Sequence, residues 1–394
     1  MALRRWAQVF AIVTPAVAAA QKPLVLTKPN AEYVEPFSAI ASIRELNDGR
    51  VLVTDARERV VQLIDFRGSA TAVGREGSGP GEYALPGLIV PLPGDSSAIY
   101  DAGFSRYLII HPDGKPGLHF RPVPSARGSQ AAVVRVRGVP RGFDARGNIY
   151  YQGPAFHENG AGVLTPSDST AIIRFDRVAQ TADTIAFVRL AKGHGSVKAN
   201  PGGGVQVMSG LANPLVPRDD WVVLPDGRVA VVRADTYRID FYTSPSLRRS
   251  GPAVPYEKIR VDADVRRMVE QEWERAWRNT IASARGRGAG SASAMGQAPT
   301  PPALSGEWPE VMPPFTMQAA KARPNGQIWV LRTQKPGVAR QLYDVFDNMG
   351  RVIGQVLLPP STSLIGFGRG AVYLVRSDDD GLQYLQRYHL PSDS

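Results

Sequence analysis

The chain contains no cysteine among its 394 residues. That absence excludes a disulfide framework, a thiolate metal site and a lipid attached through a cysteine. Histidine is also scarce: there are five, and none forms a two-histidine helical motif, which disfavours a zinc site. Beyond the first twenty residues, no apolar run approaches the length that a membrane-spanning helix needs.

The first twenty residues have the three parts of a secretory signal peptide. Two arginines and no acidic residue come first, an apolar run follows at 9–17, and residues 18–20 are alanines that fit a cleavage site. A first core helix is the alternative reading, but Pro15 would break it. We therefore predict a periplasmic or secreted protein whose mature chain begins near Gln21.

The chain is basic, with a formal net charge of +10, or +8 once the two arginines of the signal peptide are removed. Only eight of the basic residues are lysines, and the arginines are spread along the chain without a dense run. A basic surface can attract nucleic acid, anionic glycans or an anionic membrane. Because the chain is exported and its charge is scattered, we expect no nucleic-acid partner, no membrane span and a monomer.

One short pattern recurs: a glycine turn, a small or polar residue, and three or four strand-forming residues. Turns of the Asp-Gly or Asn-Gly kind supply the positive φ that joins antiparallel strands with the correct twist. In the better copies a second strand pair follows, so one unit is a four-stranded meander. Such a meander cannot bury both faces alone, so neighbouring units must stack and the ring must close. The six copies are 47–53, 94–100, 145–151, 225–231, 324–330 and 368–374.

The repeat predicts an all-β fold, a six-bladed β-propeller of four-stranded blades that forms one domain over residues 21–394. The turn glycines are 80 residues apart from Gly147 to Gly227 and 99 apart from Gly227 to Gly326, so these two intervals carry insertions. The last unit lacks an outer strand. We expect Leu24-Val25-Leu26 to supply it, because closing the ring removes an open sheet edge.

One connector adds a family resemblance. Residues 74–83, GREGSGPGEY, followed by LPG at 85–87, resemble the link between blades in NHL-repeat and related bacterial six-bladed propellers. Segments 55–63 and 100–107 resemble the strand-turn-strand units of the same proteins. The resemblance implies the fold and an extracytoplasmic setting. It implies no single activity, because members range from binding modules to lyases and lactonase-like enzymes.

The two insertions are about 193–217 and 262–315. The first is rich in glycine and asparagine and predicts a loop or hairpin over one face. The second predicts an amphipathic helix from Ala263 to Ala284, because apolar residues recur there at steps of three and four. A Gly/Ala/Ser/Pro stretch, 285–303, follows it. The tryptophans of this helix most simply dock it on the propeller; alternatively, helix and linker cover the channel and gate a ligand.

Several motifs are similar to ligand-binding loops, but we interpret them as structural turns. The glycines at 77–81 lack the Lys-Ser/Thr of a phosphate-binding loop, so a turn is expected. The segment 378–381, Asp-Asp-Asp-Gly, lacks the spaced ligands of a calcium loop and is interpreted as a hairpin turn. No cofactor is predicted, although calcium is possible.

Two aspartates occupy matching positions after a second strand. Asp55 is followed by Arg59, and Asp101 is followed by Arg106. We interpret both carboxylates as acceptors for the backbone of the next turn and as partners of the arginines, because Asp side chains readily satisfy turns. The alternative is that they line the channel as calcium ligands or acid/base groups.

The leading function is an exported binding or scaffold propeller that presents a face or its channel mouth to a protein, peptide or glycan. The alternative is a metal-dependent lactonase-like hydrolase or lyase with its site in the central channel, and a structural role in the cell envelope is a third possibility. An enzyme should show Asp, Glu, Asn or His side chains from several inner strands around one point, whereas a binding module should show an aromatic or arginine patch. An enzyme is disfavoured and no catalytic residue is assigned. The candidate ligand-binding residues are Trp273, Trp277, Trp308, His157 and His194, and any metal site is left unassigned.

Overall fold

The structure is a computed structural model, and it describes residues 22–121, 140–158, 164–192, 195–199, 205–209, 213–285, 301, 304 and 307–391. Within these ranges the chain forms the predicted six-bladed β-propeller of four-stranded blades. The signal peptide, His194 and most of the 285–303 linker lie outside the described residues, so those predictions stay predictions. No helix among the described residues is long and apolar enough to cross a membrane.

Two short strands precede the blades, and each blade is then an antiparallel meander. The early strands are β1 (Leu24–Val25) and β2 (Ala31–Glu32). Blade one contains β3 (Ile40–Glu45), β4 (Val51–Asp55), β5 (Val60–Ile64) and β6 (Ala70–Ala72). A connector with β7 (Arg75–Glu76) and β8 (Glu82–Tyr83) leads to blade two, which contains β9 (Pro86–Pro91), β10 (Ser97–Asp101), β11 (Arg106–Ile110) and β12 (Pro116–Phe120).

The later blades carry the insertions. Blade three contains β13 (Pro140–Phe143), β14 (Ile149–Gln152), β17 (Ser169–Asp176) and β18 (Thr181–Arg189), with a hairpin of β15 (Phe156–Glu158) and β16 (Leu164–Pro166) between its second and third strands. A second hairpin, β19 (Gly195–Ala199) and β20 (Val205–Ser209), precedes blade four, which contains β21 (Asp220–Val223), β22 (Val229–Arg233), β23 (Arg238–Ser244) and β24 (Leu247–Ser250). Helix α1 (Ala263–Arg285) separates blade four from blade five, which contains β25 (Ala320–Ala322), β26 (Ile328–Leu331), β27 (Leu342–Phe346) and β28 (Val352–Leu357). Blade six contains β29 (Thr362–Gly368), β30 (Ala371–Ser377) and β31 (Gln383–His389).

The N-terminal segment closes the ring, but the assignment of Leu24-Val25-Leu26 to blade six is wrong. Strand β1 pairs in parallel with β28 of blade five, with Leu24 opposite Val356. Strand β2 instead supplies the outer strand of blade six, antiparallel to β31. Side-chain contacts explain why β1 joins blade five and β2 joins blade six. Leu26 is buried with residues of blades five and six, whereas Glu32 on β2 forms a salt bridge with Arg376 at 3.1 Å.

Hydrophobic clusters fill the spaces between neighbouring blades, which is the packing that a closed ring requires. One cluster joins Leu63 of blade one to Ile99 and Leu108 of blade two. Another joins Tyr150 of blade three to Trp221 of blade four, and both side chains are almost completely buried. The turns between the first and second strands are made by glycines with positive φ in five blades, for example Gly49 at 87°. Blade two also reaches positive φ there, at Gly94 and Asp95, so the predicted turn chemistry is confirmed.

The ring has two unlike faces. The first strand of each blade lines the channel and successive strands reverse direction, so the loops after second and fourth strands all lie at the face where the inner strands begin. Both inserted hairpins and helix α1 occupy such loops, and β16 contacts β19 there. We call this side the crowned face and the opposite side, which carries the glycine turns, the turn face. The last strand ends at the turn face, where Leu390 N donates a hydrogen bond to Gly370 O at 2.9 Å.

The predicted helix is confirmed as α1, and it docks through its first turns. Val265 and Val269 are buried in a cluster with Leu215, Val261 and Met312. The cap of the helix is Asp262, whose carboxylate accepts a hydrogen bond from Val265 N at 2.9 Å. Val265 and Val269 therefore dock the helix, and docking through the half-buried Trp273 and Trp277 stays a prediction.

Candidate functional site

The candidate ligand-binding residues that the structure describes belong to two different insertions of the crowned face. His157 lies in the β15–β16 hairpin, where its ring nitrogens bond Ser167 Oγ and Thr165 Oγ1, each at 2.9 Å. The tryptophans belong to the helical insertion. The rings of Trp273 and Trp277 are 6.1 Å apart and both side chains are half-buried. Trp308 packs against the docking cluster of α1, with the Arg266 guanidinium 5.6 Å from its ring centre.

The matched aspartates prove structural, as interpreted from the sequence. Asp55 accepts four backbone N–H groups, from residues 38, 39, 57 and 58. Asp101 accepts three, from residues 84, 85 and 103, and pairs with Arg106 at 3.2 Å. The expected pair of Asp55 with Arg59 is wrong, because the Arg59 guanidinium bonds Glu76 instead at 2.8 Å. Both carboxylates are therefore used as hydrogen-bond acceptors within the fold.

The glycine motif at 77–81 is likewise a turn. The carboxylate of Glu82 accepts a hydrogen bond from Gly79 N at 2.8 Å, and Gly77 N donates to Tyr83 O at 2.9 Å. Donors that a phosphate would need are therefore already used within the connector.

The carboxylates that the sequence offered as calcium ligands have other partners in the described residues. In the described part of the chain, no group of three or more His, Asp or Glu side chains lies together as metal ligands would. The 378–381 segment forms the expected hairpin turn, in which Asp378 Oδ1 accepts the N–H of Leu382 at 2.8 Å. Calcium prefers six to eight oxygen ligands, and these carboxylates are engaged by backbone donors or arginines instead.

The charged side chains that do converge lie between blades three and four. A groove of about 670 Å³ runs there between β18 and the outer strands of blade four. We call it the blade 3/4 groove. Its charged residues are Arg189, Arg233, Arg238, Arg248, Asp219, Asp235 and Asp240.

Asp219 fixes the floor of the groove. It precedes β21, its side chain is 1% exposed, and it accepts hydrogen bonds from Arg189 N at 2.9 Å and Arg233 Nη1 at 2.7 Å. The N–H of Ala234 reaches the same carboxylate at 3.3 Å. A buried carboxylate that is bonded this way holds the two blades in register and fixes the position of the Arg233 guanidinium.

Asp240 on strand β23, one strand further out in blade four, also fixes the position of Arg233. It is 1% exposed and bonds Arg233 Nε at 2.9 Å and Arg238 Nε at 3.1 Å. Burial acts to lower the pKa of Arg233, but the hydrogen bond to Asp240 and the charge of Asp219 outweigh it and raise that pKa. Arg233 is therefore a fixed cation shared by two buried carboxylates.

The exposed surface of the groove is positive, although its residues nearly balance in number. The carboxylates of Asp219 and Asp240 are buried, whereas the Arg189 and Arg238 side chains are 44% and 32% exposed. Asp235 is the one exposed carboxylate that lines the groove, and it is paired with Arg189 at 2.9 Å. Arg248 is exposed and forms no salt bridge with any residue that the structure describes. Phe187, which is 53% exposed, adds an apolar wall. The arrangement is suited to binding carboxylate or other anionic groups, because preorganised guanidiniums bind them in a bidentate manner.

The sequence reasoning missed this groove, although a signal existed. Blades one and two carry aspartate at the end of the second strand, six residues after the turn glycine in blade one. Blades four, five and six carry Arg233, Arg332 and Arg376 six residues after theirs. Aligning all six repeats would have shown this change of charge. The partner carboxylates could not be found in that way, because Asp219 lies in the loop before blade four.

The solved structures that match this chain are distant from it in sequence. No family model matches the chain, and no curated protein matches its sequence. A protein of Bacteroides fragilis named as exported is 13% identical, with 93% of this chain and 94% of that one covered and a TM-score of 0.46. A gluconolactonase of Xanthomonas campestris is 12% identical, with 94% and 99% covered and a TM-score of 0.40. Virginiamycin B lyase of Staphylococcus aureus is 10% identical, with 89% and 95% covered and a TM-score of 0.38.

These matches supply no functional residue for this chain, and the NHL-repeat label remains a resemblance in the connector. The six-bladed ring itself rests on the sheet topology described above.

Proposed function

We propose that this protein is an exported binding propeller whose blade 3/4 groove takes an acidic chain, a peptide or a glycan. The observation that carries the proposal is the set of arginines held in place by the buried carboxylates of Asp219 and Asp240. Their remaining N–H groups face a groove large enough for several residues of an extended ligand.

An arginine patch is what distinguishes a binding module from an enzyme of the channel type. The three aspartates of the groove are all paired with arginine, and the shortest contact of each is 2.7 to 2.9 Å. Burial opposes the shift, but hydrogen bonds that include those from arginine lower the pKa values of Asp235 and Asp240, which makes these two carboxylates poor general bases. The hydrolase or lyase alternative would need carboxylates or histidines that converge from several inner strands, and the described residues contain no such set.

The test is calorimetric binding of a hexaglutamate peptide and of an oligogalacturonate, with hexaserine and a neutral oligosaccharide as references. We expect the acidic probes to bind and the neutral ones not to, with affinity falling as salt rises. A hydrogen bond to a charged group contributes about 1.5–3 kcal/mol, so each lost arginine should weaken binding at least tenfold.

The variant for this test is Arg189→Gln/Arg248→Gln, which leaves the buried Arg233 in place. The matched control is Arg67→Gln/Arg146→Gln, which replaces two exposed arginines in turns of blades one and three and has the same change of charge. We expect the groove variant to lose roughly a hundredfold in affinity and the control to bind normally. Equal binding of acidic and neutral probes, or equal losses in both variants, would contradict the proposal.

A further inference from the structure

A second charged cluster lies at the channel mouth, on the other side of the Asp219–Asp220 pair. Asp220 is the first residue of inner strand β21, and its side chain is 2% exposed. Its carboxylate bonds Arg141 Nη2 of inner strand β13 at 2.6 Å and accepts the N–H of Ala320 on inner strand β25 at 2.9 Å. Three neighbouring blades therefore meet at one buried carboxylate.

Three cations surround that carboxylate. Arg141 is paired with it directly, and the Arg141 guanidinium also lies 5.0 Å from the ring centre of Trp221. Lys321 on β25 and Arg218 in the loop before β21 both interact electrostatically with Asp220. Neither of these two forms a salt bridge with any of the described residues. We call Arg141, Arg218, Asp220 and Lys321 the channel cluster.

Two buried donors, one in the cluster and one on the neighbouring Asn213, have no acceptors among the described residues. Arg218 Nε and Asn213 Nδ2 are buried and have no hydrogen-bond partner among the described residues. The other contacts of Arg218 are weak: Nη2 to Asn213 O at 3.3 Å and Nη1 to the sulfur of Met317 at 3.6 Å. A buried donor without an acceptor costs about 1–3 kcal/mol, and more when it is charged. An oxyanion would supply the missing acceptors.

The electrostatics agree with the geometry. Burial lowers the pKa of Lys321, and the charge of Arg141 lowers it further, whereas Asp220 opposes the shift. Burial also lowers the pKa of Arg218, again opposed by Asp220. One carboxylate is thus shared among three cations, which leaves a net positive charge in a partly desolvated site.

We propose that the channel cluster binds a single oxyanion, either a free tetrahedral anion or a carboxylate carried by a larger ligand. This site is separate from the blade 3/4 groove, because Asp219 directs its contacts to the groove and Asp220 directs its contacts to the inner strands. The ligand would accept hydrogen bonds from Arg218 and Lys321, while Arg141 stays paired with Asp220.

The first test is chemical protection in the unmodified protein. Purified protein is treated with acetic anhydride at a series of sulfate concentrations, with sodium chloride at matched ionic strength as reference, and acetylation is measured by peptide mass spectrometry. We expect sulfate to slow acetylation of Lys321 at least fivefold. Lys335, an exposed lysine of the same blade, is the internal control and should react at one rate throughout.

The second test uses variants and direct binding. Sulfate and acetate are titrated by calorimetry into the wild type, Lys321→Gln and the control Lys335→Gln. We expect Lys321→Gln to bind at least tenfold more weakly and Lys335→Gln to match the wild type. Tighter binding of sulfate would identify a free tetrahedral anion as the ligand, and tighter binding of acetate a carboxylate.

The outcomes separate this site from the groove. Arg189→Gln/Arg248→Gln should still bind sulfate at the channel cluster with unchanged affinity, even if the acidic probes fail to bind the groove. Equal acetylation of Lys321 with sulfate and with chloride, or equal anion binding by the wild type and Lys321→Gln, would overturn the proposal.

Discussion

Two N-terminal truncations separate the contributions of β1 and β2 to closure of the ring. The shorter removes residues 22–28 and therefore β1 alone. Leu24 and Val25 are 39% and 43% exposed, so only Leu26, which is 6% exposed, takes a fully buried side chain with it. Burial of one leucine contributes about 1.5–3 kcal/mol, so we expect a loss of about 2 kcal/mol in the free energy of unfolding.

The longer truncation removes residues 22–36 and β2 as well. It takes away Tyr33, which is 2% exposed, and the Glu32–Arg376 salt bridge, and it leaves the edge of β31 open. The aromatic ring adds roughly 2–3 kcal/mol and the exposed salt bridge less than about 1 kcal/mol. We expect a total near 5 kcal/mol, which is comparable with the whole stability of many domains.

The assay is urea unfolding, followed by tryptophan fluorescence and far-ultraviolet circular dichroism, with light scattering to detect aggregation through the open edge. The shorter protein should remain folded with a lower midpoint. The longer one should be largely unfolded or aggregated. If removal of β1 alone were as damaging as removal of both strands, the assignment of closure to β2 would be refuted.

Three further predictions concern single positions. Asp101→Asn should lower stability by about 3 kcal/mol in urea unfolding, since it leaves the half-buried Arg106 without its charge partner; a loss under 1 kcal/mol would contradict that role. The pKa of Lys321 in the folded protein is lower than its ordinary 10.5. Between these two values the unfolded chain therefore binds more protons than the folded one. Stability of the wild type relative to Lys321→Gln should therefore rise as pH increases towards 10.5, and a difference that stays flat up to pH 10.5 would argue against a desolvated lysine. The mature chain should begin near Gln21 in mass spectra of periplasmic or secreted protein, and an intact Met1 terminus in the cytosol would rule out the signal peptide.

The blade repeat could be predicted because its signal is local and occurs six times. A turn glycine and the following apolar residues determine a hairpin without help from the rest of the chain. Helix α1 was predictable for the same reason: its apolar period extends over twenty residues, and the observed Ala263–Arg285 differs from the prediction by one residue. The hairpin at 195–209 likewise lies within the predicted 193–217 insertion.

The closing strand was assigned to the wrong residues because a two-residue strand is too short to show an alternation of apolar and polar side chains. Leu24-Val25-Leu26 is the more apolar candidate, and apolarity was the only local criterion available. What decides the closing strand of blade six is Glu32, whose partners Arg376 and Gln386 are more than 340 positions away in the chain. Such a pairing becomes visible only after the ring has formed.

The candidate site was harder to predict than the fold for a related reason. Tryptophans and histidines stand out in a sequence, whereas an arginine next to an aspartate looks like ordinary surface charge. The role of Arg233 in the groove depends on the burial of Asp219 and Asp240, and their burial arises only when the blades pack together. The change from aspartate to arginine at the ends of the second strands was the one part of the site that the repeats themselves contained.

The position of the C-terminal strand has a practical consequence for how the protein can be handled. Pro391 lies beside the glycine turns at 323–325 and 368–370. An affinity tag or biotin placed there would attach the ring to a sensor surface by its turn face. The inserted hairpins and helix α1 would then point into the flowing solution, as would the mouth of the channel. Large probes could reach the crowned face without hindrance from the support, so immobilisation through this end gives a uniform orientation for binding measurements.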